Sequence, residues 1–355
     1  MSRNGKGSVQ LKLALKCAVT ALLLWAVFRK VDLGAVSGVL AGLSPSWALG
    51  AVLLTALIVI FDATLLSGVI RLFSHRMPVG TAMLYSLVGW FFSNIAPSTV
   101  GGDIFRGVQL SRVGVPVGTA VRVVLAVRVL SFITLVGVIA SGFPIALGLL
   151  HQHRDVLLLG AVLAGGIGAI AGLFVLAHLP ANLRLLDRWS LGRKMMTVAD
   201  DFRLLLLPNQ VNFWAWLSAL AQHLLRVSVL WCLATGLGLN IPFATLFAFT
   251  AAALLMAMVP ISFGGWGVRE IAFVYLLGAA GVGAEAALSL SIAFGLLRVL
   301  FGVIGGVAWV VINDEHFSVD ASSGDSEAAR VHPARAAGTM PMRRSASDDQ
   351  RCRSR

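Results

Sequence analysis

From Leu13 to Ile312 the chain is a succession of long apolar runs separated by short polar segments. About 20 consecutive apolar residues cross the hydrocarbon core as a helix, because in lipid each backbone N–H and C=O must be satisfied within its own segment. Of the 355 residues 58% are hydrophobic and 12% are charged, with a mean hydropathy of +0.87. A soluble domain carries about 25% charged residues. These runs dictate an all-α polytopic membrane protein. Full spans are expected at about 13–28, 47–70, 117–141, 156–177, 211–235 and 288–312.

Two further apolar runs, 80–96 and 243–259, end in the same motif, P-x-[ST]-x-G-G-x-x-x-R. Pro97, Thr99, Gly101, Gly102 and Arg106 match Pro260, Ser262, Gly264, Gly265 and Arg269 at a constant offset of 163 residues, Pro97 to Pro260. Each proline lacks a backbone donor and disfavours helix at the residue before it, so the entering helix must break. The glycine pairs accept positive φ and allow a backbone or a ligand to come close. Thr99 and Ser262 can cap a restarting helix. Non-helical backbone at membrane depth is tolerated only where protein buries it or water reaches it. Free N–H groups at a helix start, followed by an arginine, suit an anion such as phosphate. The alternative is a pair of tight packing turns with arginines that reach for the interface; the duplication favours a site.

Net charge is +12 and the pI about 10.9. The positive residues lie mostly in loops and tails, as the positive-inside rule requires, so anionic lipid is a better partner than nucleic acid. Residues 1–12 are read as a cytoplasmic N-terminus, 13–312 as the transmembrane domain, and 313–355 as a disordered cytoplasmic tail. Residues 13–28 read as an uncleaved first span, since Arg29 and Lys30 follow at once and no small-x-small cleavage site is present. Keeping the basic loop at 184–203 and the tail on the cytoplasmic side requires the runs before the motifs to enter and return as re-entrant hairpins. The two halves, about 47–141 and 211–312, then form an inverted-topology repeat of the kind found in secondary transporters. The expected count is six full spans and two hairpins. Cys17, Cys232 and Cys352 make no disulfide framework.

Ionisable residues within spans form a second layer. Arg128 and Arg298 lie in the spans after the motifs, and Asp62 and Arg226 in the spans before them. Each costs about 3 kcal/mol or more near the bilayer centre and faces a partner or a wet cavity. Asp62 can balance one of these arginines, while Asp103 and Glu270 can pair with Arg106 or Arg269. A purely structural set of ion pairs holding the hairpins is the competing reading. Arg122 and Glu285, near span ends, read as interfacial. His151 and His153 lack companions for a metal site, and His75, His178 and His223 stand alone. No phosphate-loop, nucleophile-elbow or zincin motif occurs, so no cofactor is expected and transport would draw on an ion gradient or a partner. Trp90-Phe91-Phe92 and Trp214-x-Trp216 read as packing and interface anchors.

The segments Asn94-x-x-Pro97, Gly101-Gly102-Asp103-x-x-Arg106 and Pro260 through Gly264-Gly265-x-Gly267-x-Arg269-Glu270 resemble the lysylphosphatidylglycerol synthase transmembrane family, also called the flippase-like domain. The resemblance covers about residues 10–312 and implies a lipid-translocating membrane domain. Some relatives carry a soluble domain for aminoacyl transfer; only about forty residues follow the last span here, so that activity is not expected. Others look linked to hopanoid lipids or polyprenyl-linked sugars. The expectation is a transporter of an anionic or isoprenoid-type lipid in a bacterial inner membrane. Its substrate-binding residues would be Pro97, Thr99, Gly101, Gly102, Asp103, Arg106, Arg128, Pro260, Ser262, Gly264, Gly265, Arg269, Glu270 and Arg298. A membrane-embedded glycosyl or acyl transferase with Asp103 or Glu270 as base, and a scaffold for lipid-biosynthesis enzymes, are the alternatives.

Overall fold

A computed structural model describes residues 38, 40–95, 101–178, 190–258, 262 and 265–330. The expected first span at 13–28, Pro97, Thr99, Pro260, Gly264 and the tail beyond 330 lie outside the described residues. Among the described residues there are ten helices and no strand. In chain order they are α1 (Pro45–Leu72), α2 (Val79–Ile95), α3 (Gly101–Arg112), α4 (Val117–Leu149), α5 (His153–His178), α6 (Ser190–Leu206), α7 (Gln210–Gly236), α8 (Phe243–Ala257), α9 (Val268–Ala279) and α10 (Ala284–Arg330).

Among the described residues five stretches are long and apolar enough to cross a bilayer: α1, α4, α5, α7 and the Ala284–Val311 part of α10. They coincide with the five expected spans that fall on described residues. The other two apolar runs form α2, of 17 residues, and α8, of 15. At 1.5 Å per residue these reach about 25 and 22 Å, short of a hydrocarbon core of about 30 Å. Each is followed, across the motif, by a 12-residue helix, α3 or α9, packed back against it. The backbone of α10 continues past Asn313 to Arg330, where the composition suggests disorder. A helix nucleated inside the membrane extends at low cost because the unfavourable first turn is already formed.

The basic loop contains α6, whose Met196, Ala199, Phe202 and Leu205 share a buried face at spacings of three. Arg122 of α4 pairs with Asp201 of α6 and lies 5.0 Å over the Phe73 ring. The Asn212 amide donates to the carbonyls of Leu204 and Leu207, both at 2.7 Å, which ties α6 to the start of α7.

The most extensive helix pairing is α1 with α7. Along both helices the buried apolar residues divide into two clusters. One includes Ala51, Ile58 and Val59 with Val227, Leu230 and Leu233; the other includes Ala63, Leu66 and Val69 with Ala215 and Ala219. Between them, near mid-helix, sit Asp62 on α1 and Gln222, His223 and Arg226 on α7. The bundle therefore has a polar layer held between two apolar ones.

Close backbone approach sets two of the helix pairs. A Cβ at Gly142 of α4 would meet Ala248 Cα of α8 at 3.0 Å, and one at Gly305 of α10 would meet the Leu87 carbonyl oxygen of α2 at 2.1 Å. A clash with main chain cannot be relieved by rotating a side chain. Gly305→Ala is expected to cost about 1–3 kcal/mol. Gly137→Ala, where no atom lies within 4 Å of the new Cβ, is expected to be neutral or stabilising by up to about 1 kcal/mol. Unfolding of the two purified variants in detergent checks this.

Candidate functional site

The polar layer encloses a cavity of about 210 Å³. Asp62 reaches it from α1, Trp90 and Ser93 from α2, Asp103 and Arg106 from α3, and Arg128 and Ser131 from α4. Gln222, His223 and Arg226 come from α7, Met258 follows α8, Arg269 comes from α9, and Arg298 from α10. Helices α5 and α6 contribute nothing to this lining. Five arginines thus meet in the polar layer, Arg128, Arg226 and Arg298 from within long apolar helices and Arg106 and Arg269 from the short helices α3 and α9.

Three of the five are engaged by carboxylates. Arg106 donates to Asp62 of α1, and Arg128 donates to Asp103 of α3. Arg269 is 2% exposed and donates to Glu270 Oε1 through Nη2 at 2.5 Å and Nε at 3.0 Å. Its guanidinium also stacks 4.6 Å from the Trp266 ring, and Ser291 of α10 donates to Glu270 Oε1 at 3.2 Å. The Arg269–Glu270 pair is thus held by several short contacts in surroundings that screen it little.

Arg226 and Arg298 differ. Arg226 donates to Gln222 Oε1 at 3.2 Å and to His223 Nδ1 at 3.1 Å. Since arginine only donates, His223 Nδ1 accepts, and His223 is the neutral tautomer whose Nε2–H donates to the Ser131 carbonyl at 2.9 Å. Among the described residues, no carboxylate makes a salt bridge with Arg226 or Arg298. Two buried donors on the lining, Arg106 Nε and Gln222 Nε2, also have no partner among the described residues. The cavity therefore offers donors and positive charge to whatever enters it.

The motif residues divide by role. Gly101 and Gly102 open α3 in helical conformation rather than at positive φ. Gly102 is needed for close approach, since a Cβ there would lie 2.2 Å from the Gly89 carbonyl oxygen of α2. Gly265 does adopt positive φ, +82°, with the Ala257 carbonyl oxygen 3.1 Å from any added Cβ. Ser262 is buried, its hydroxyl has no partner among the described residues, and the N-cap of α9 is Gly267, so Ser262 does not cap it. The cap is instead made by Glu270, whose Oε2 accepts from the Gly267 N–H at 2.7 Å. The carboxylate at the third helical position supplies a stronger, charge-assisted acceptor than the expected hydroxyl.

Glu270 pairs with Arg269 as the charge pattern suggested, but Asp62, expected to balance an arginine of the long spans, takes Arg106, and Asp103, expected to pair with Arg106 or Arg269, takes Arg128. His223 does not stand alone. Gln222, His223 and Arg226, at spacings of one and three within an apolar span, were the available signal for that wall. No sequence signal marks Gly89 and Gly295. A Cβ at Gly89 would meet Arg106 Nε at 2.7 Å, and one at Gly295 would meet Arg269 Nη2 at 2.3 Å. Both make room for a motif arginine. Trp90, read from sequence as an anchor, lines the cavity.

These features define a multi-pass membrane protein built around a polar site within its spans. Residues 13–306 match the family described as Lysylphosphatidylglycerol synthase TM region, and the chain belongs to that family. No curated protein matches the chain. Membership indicates a lipid-related function in the membrane.

Removing one member of a buried ion pair leaves the other uncompensated and costs about 3–5 kcal/mol. Asp62→Asn is expected to lose that amount through Arg106, and the double variant Asp62→Asn, Arg106→Gln to recover part of it. Detergent unfolding of the four proteins of this cycle measures the coupling.

Proposed function

We propose that the protein is a lipid transporter of the flippase type, moving an anionic or isoprenoid-type lipid between the leaflets of a bacterial inner membrane. The observation that carries this reading is the convergence of five arginines on one cavity, two of them without a carboxylate partner among the described residues. A lipid head group crossing hydrocarbon unaided meets a barrier of many kcal/mol. A cavity that offers donors at that depth lowers it.

A second feature supports an amphiphilic cargo. An apolar groove of about 350 Å³ lies against Phe132 and Ile133 of α4 and Ala169, Ile170 and Leu173 of α5, and it shares Arg128 and Met258 with the polar cavity. A head group in the cavity can leave its chain in this groove.

The inverted repeat is part of the proposal. Helices α1–α4 and α7–α10 follow one plan: long, short, 12-residue, long. The equivalent helices α1 and α7 pack on each other, as elements beside a two-fold axis do. The hairpin helices exchange partners, α8 against Gly142 of α4 and α2 against Gly305 of α10. Those two glycines are 163 residues apart, the offset of the motifs. With 13–28 as a span, the domain has six full crossings and two re-entrant hairpins. We assign the head-group contact to Arg226 and Arg298, with Arg106, Arg128 and Arg269 shaping the walls from their ion pairs.

The transferase reading needs a base, and its two candidates are committed: Asp103 to Arg128, and Glu270 to Arg269, Ser291 and the Gly267 N–H.

The test is translocation in proteoliposomes with acyl-labelled fluorescent phosphatidate and phosphatidylglycerol, bleached from outside by dithionite. Protein-dependent access to the inner leaflet is expected for at least one lipid, slowed about tenfold, or about 1.4 kcal/mol, in Arg298→Gln. No access for either lipid in folded protein removes the proposal.

A further inference from the structure

Arginine remains protonated at any physiological pH, so the cavity can be counted. Five guanidinium groups line it, and three carboxylates, Asp62, Asp103 and Glu270, are bound to three of them. Two positive charges remain, on Arg226 and Arg298, from different walls. Arg226 interacts with Arg128 and with Asp62, and Arg298 with Arg269, Arg226, Arg128 and Glu270; the two carboxylates are already paired with Arg106 and Arg269, so among the described residues the count of charges is unchanged. The break segments 96–100 and 259–264 contain no acidic residue that could neutralise them. Neutral partners, Gln222 and His223, orient Arg226 without removing its charge.

We propose that the head group taken by this site is a dianionic phosphate, a lipid phosphomonoester or diphosphate, bound between Arg226 and Arg298. The inference rests on the transporter reading and narrows its substrate class. A phosphodiester such as phosphatidylglycerol carries one charge and leaves one arginine bare at mid-span. A phosphomonoester above its second pKa, about 6 for phosphorylated side chains, neutralises both. The unpartnered Arg106 Nε and Gln222 Nε2 are donors for the additional oxygens that a monoester presents. A zwitterionic head group brings a cation into a cavity that already has two in excess.

The experiment is calorimetric binding to the purified full chain in detergent, with dioctanoyl phosphatidate, dioctanoyl phosphatidylglycerol and inorganic pyrophosphate as probes. At pH 8 phosphatidate is expected to bind about tenfold tighter than phosphatidylglycerol. Acidification to pH 5 protonates the ligand to a monoanion and is expected to abolish that preference. The protein groups facing the ligand are Asp62 and Arg106, Asp103 and Arg128, Arg269 and Glu270, His223 with Arg226, and Arg298. Their own titration acts on both lipids and is read from the phosphatidylglycerol series. Arg226→Gln and Arg298→Gln are expected to weaken phosphatidate about tenfold more than phosphatidylglycerol, and Arg298→Lys to retain the preference. Equal affinities at pH 8, or a preference that survives in the double Gln variant with an unchanged melting temperature, overturns the proposal. Pyrophosphate binding as tightly as phosphatidate overturns the assignment to a lipid. Equal binding of the two lipids with translocation intact removes only the dianion; loss of translocation for both removes the transporter reading itself.

Discussion

A charge halfway across a bilayer has to be compensated, and the fold is arranged around meeting that demand eight times within one layer. Five arginines and three carboxylates meet in this layer, Asp62, Arg128, Arg226 and Arg298 from within long apolar helices and Asp103, Arg106, Arg269 and Glu270 from the short helices α3 and α9. Left singly, each costs about 3 kcal/mol or more. The polar layer is tolerable because apolar clusters seal it on both sides and the charges face one another rather than lipid. The long pairing of α1 with α7 brings Asp62 and Arg226 to one level, and the short helices α3 and α9 carry Arg106 and Arg269 to the same level. A helix continuing straight on from α2 or α8 would leave no separate short helix packed back against it to deliver these arginines.

Close approach of backbones makes that geometry possible, and glycine permits it. Gly102 lets α3 lie against the carbonyl of Gly89, and Gly89 itself leaves space for Arg106. Gly295 does the same for Arg269 from the neighbouring α10. Without a hydrophobic drive between helices in lipid, van der Waals contact at short range and inter-helix hydrogen bonds supply the cohesion. Such contacts include Thr64 with Ser218 at 3.0 Å and Asn94 Nδ2 donating to the Arg298 carbonyl at 3.3 Å.

Much of this could be read from the residues because lipid removes alternatives. An apolar run in a membrane has to be helical, so the spans on α1, α4, α5, α7 and α10 follow from hydropathy, and the motif arginines announce themselves by their cost. What escaped the reading depends on contacts between distant segments. The partner of Arg106 lies 44 residues away at Asp62, and His223 meets Ser131 across 92. Gly89 and Gly295 look like ordinary small residues until an arginine is placed beside them. The cap at α9 went to Glu270 rather than Ser262 because a carboxylate already held by Arg269 has a second oxygen to spare for the Gly267 N–H.

The excess of positive charge traces to unequal halves. In the first, position 103 is an aspartate that holds Arg128; the motif equivalent in the second, 163 residues on, is Trp266. An aromatic ring stacks on Arg269 but cancels no charge, so Arg298 keeps its own. On the preceding spans Asp62 neutralises Arg106, while the nearly equivalent place on α7 is taken by a third cation, Arg226. Two symmetric halves with the first half's carboxylates would close the layer electrostatically and leave nothing for a ligand to do. With Trp266 and Arg226 in their places, one half supplies a compensated frame and the other an unsatisfied charge. On the transporter reading proposed above, an anion completes this cavity and leaves it where water takes over the arginines' solvation.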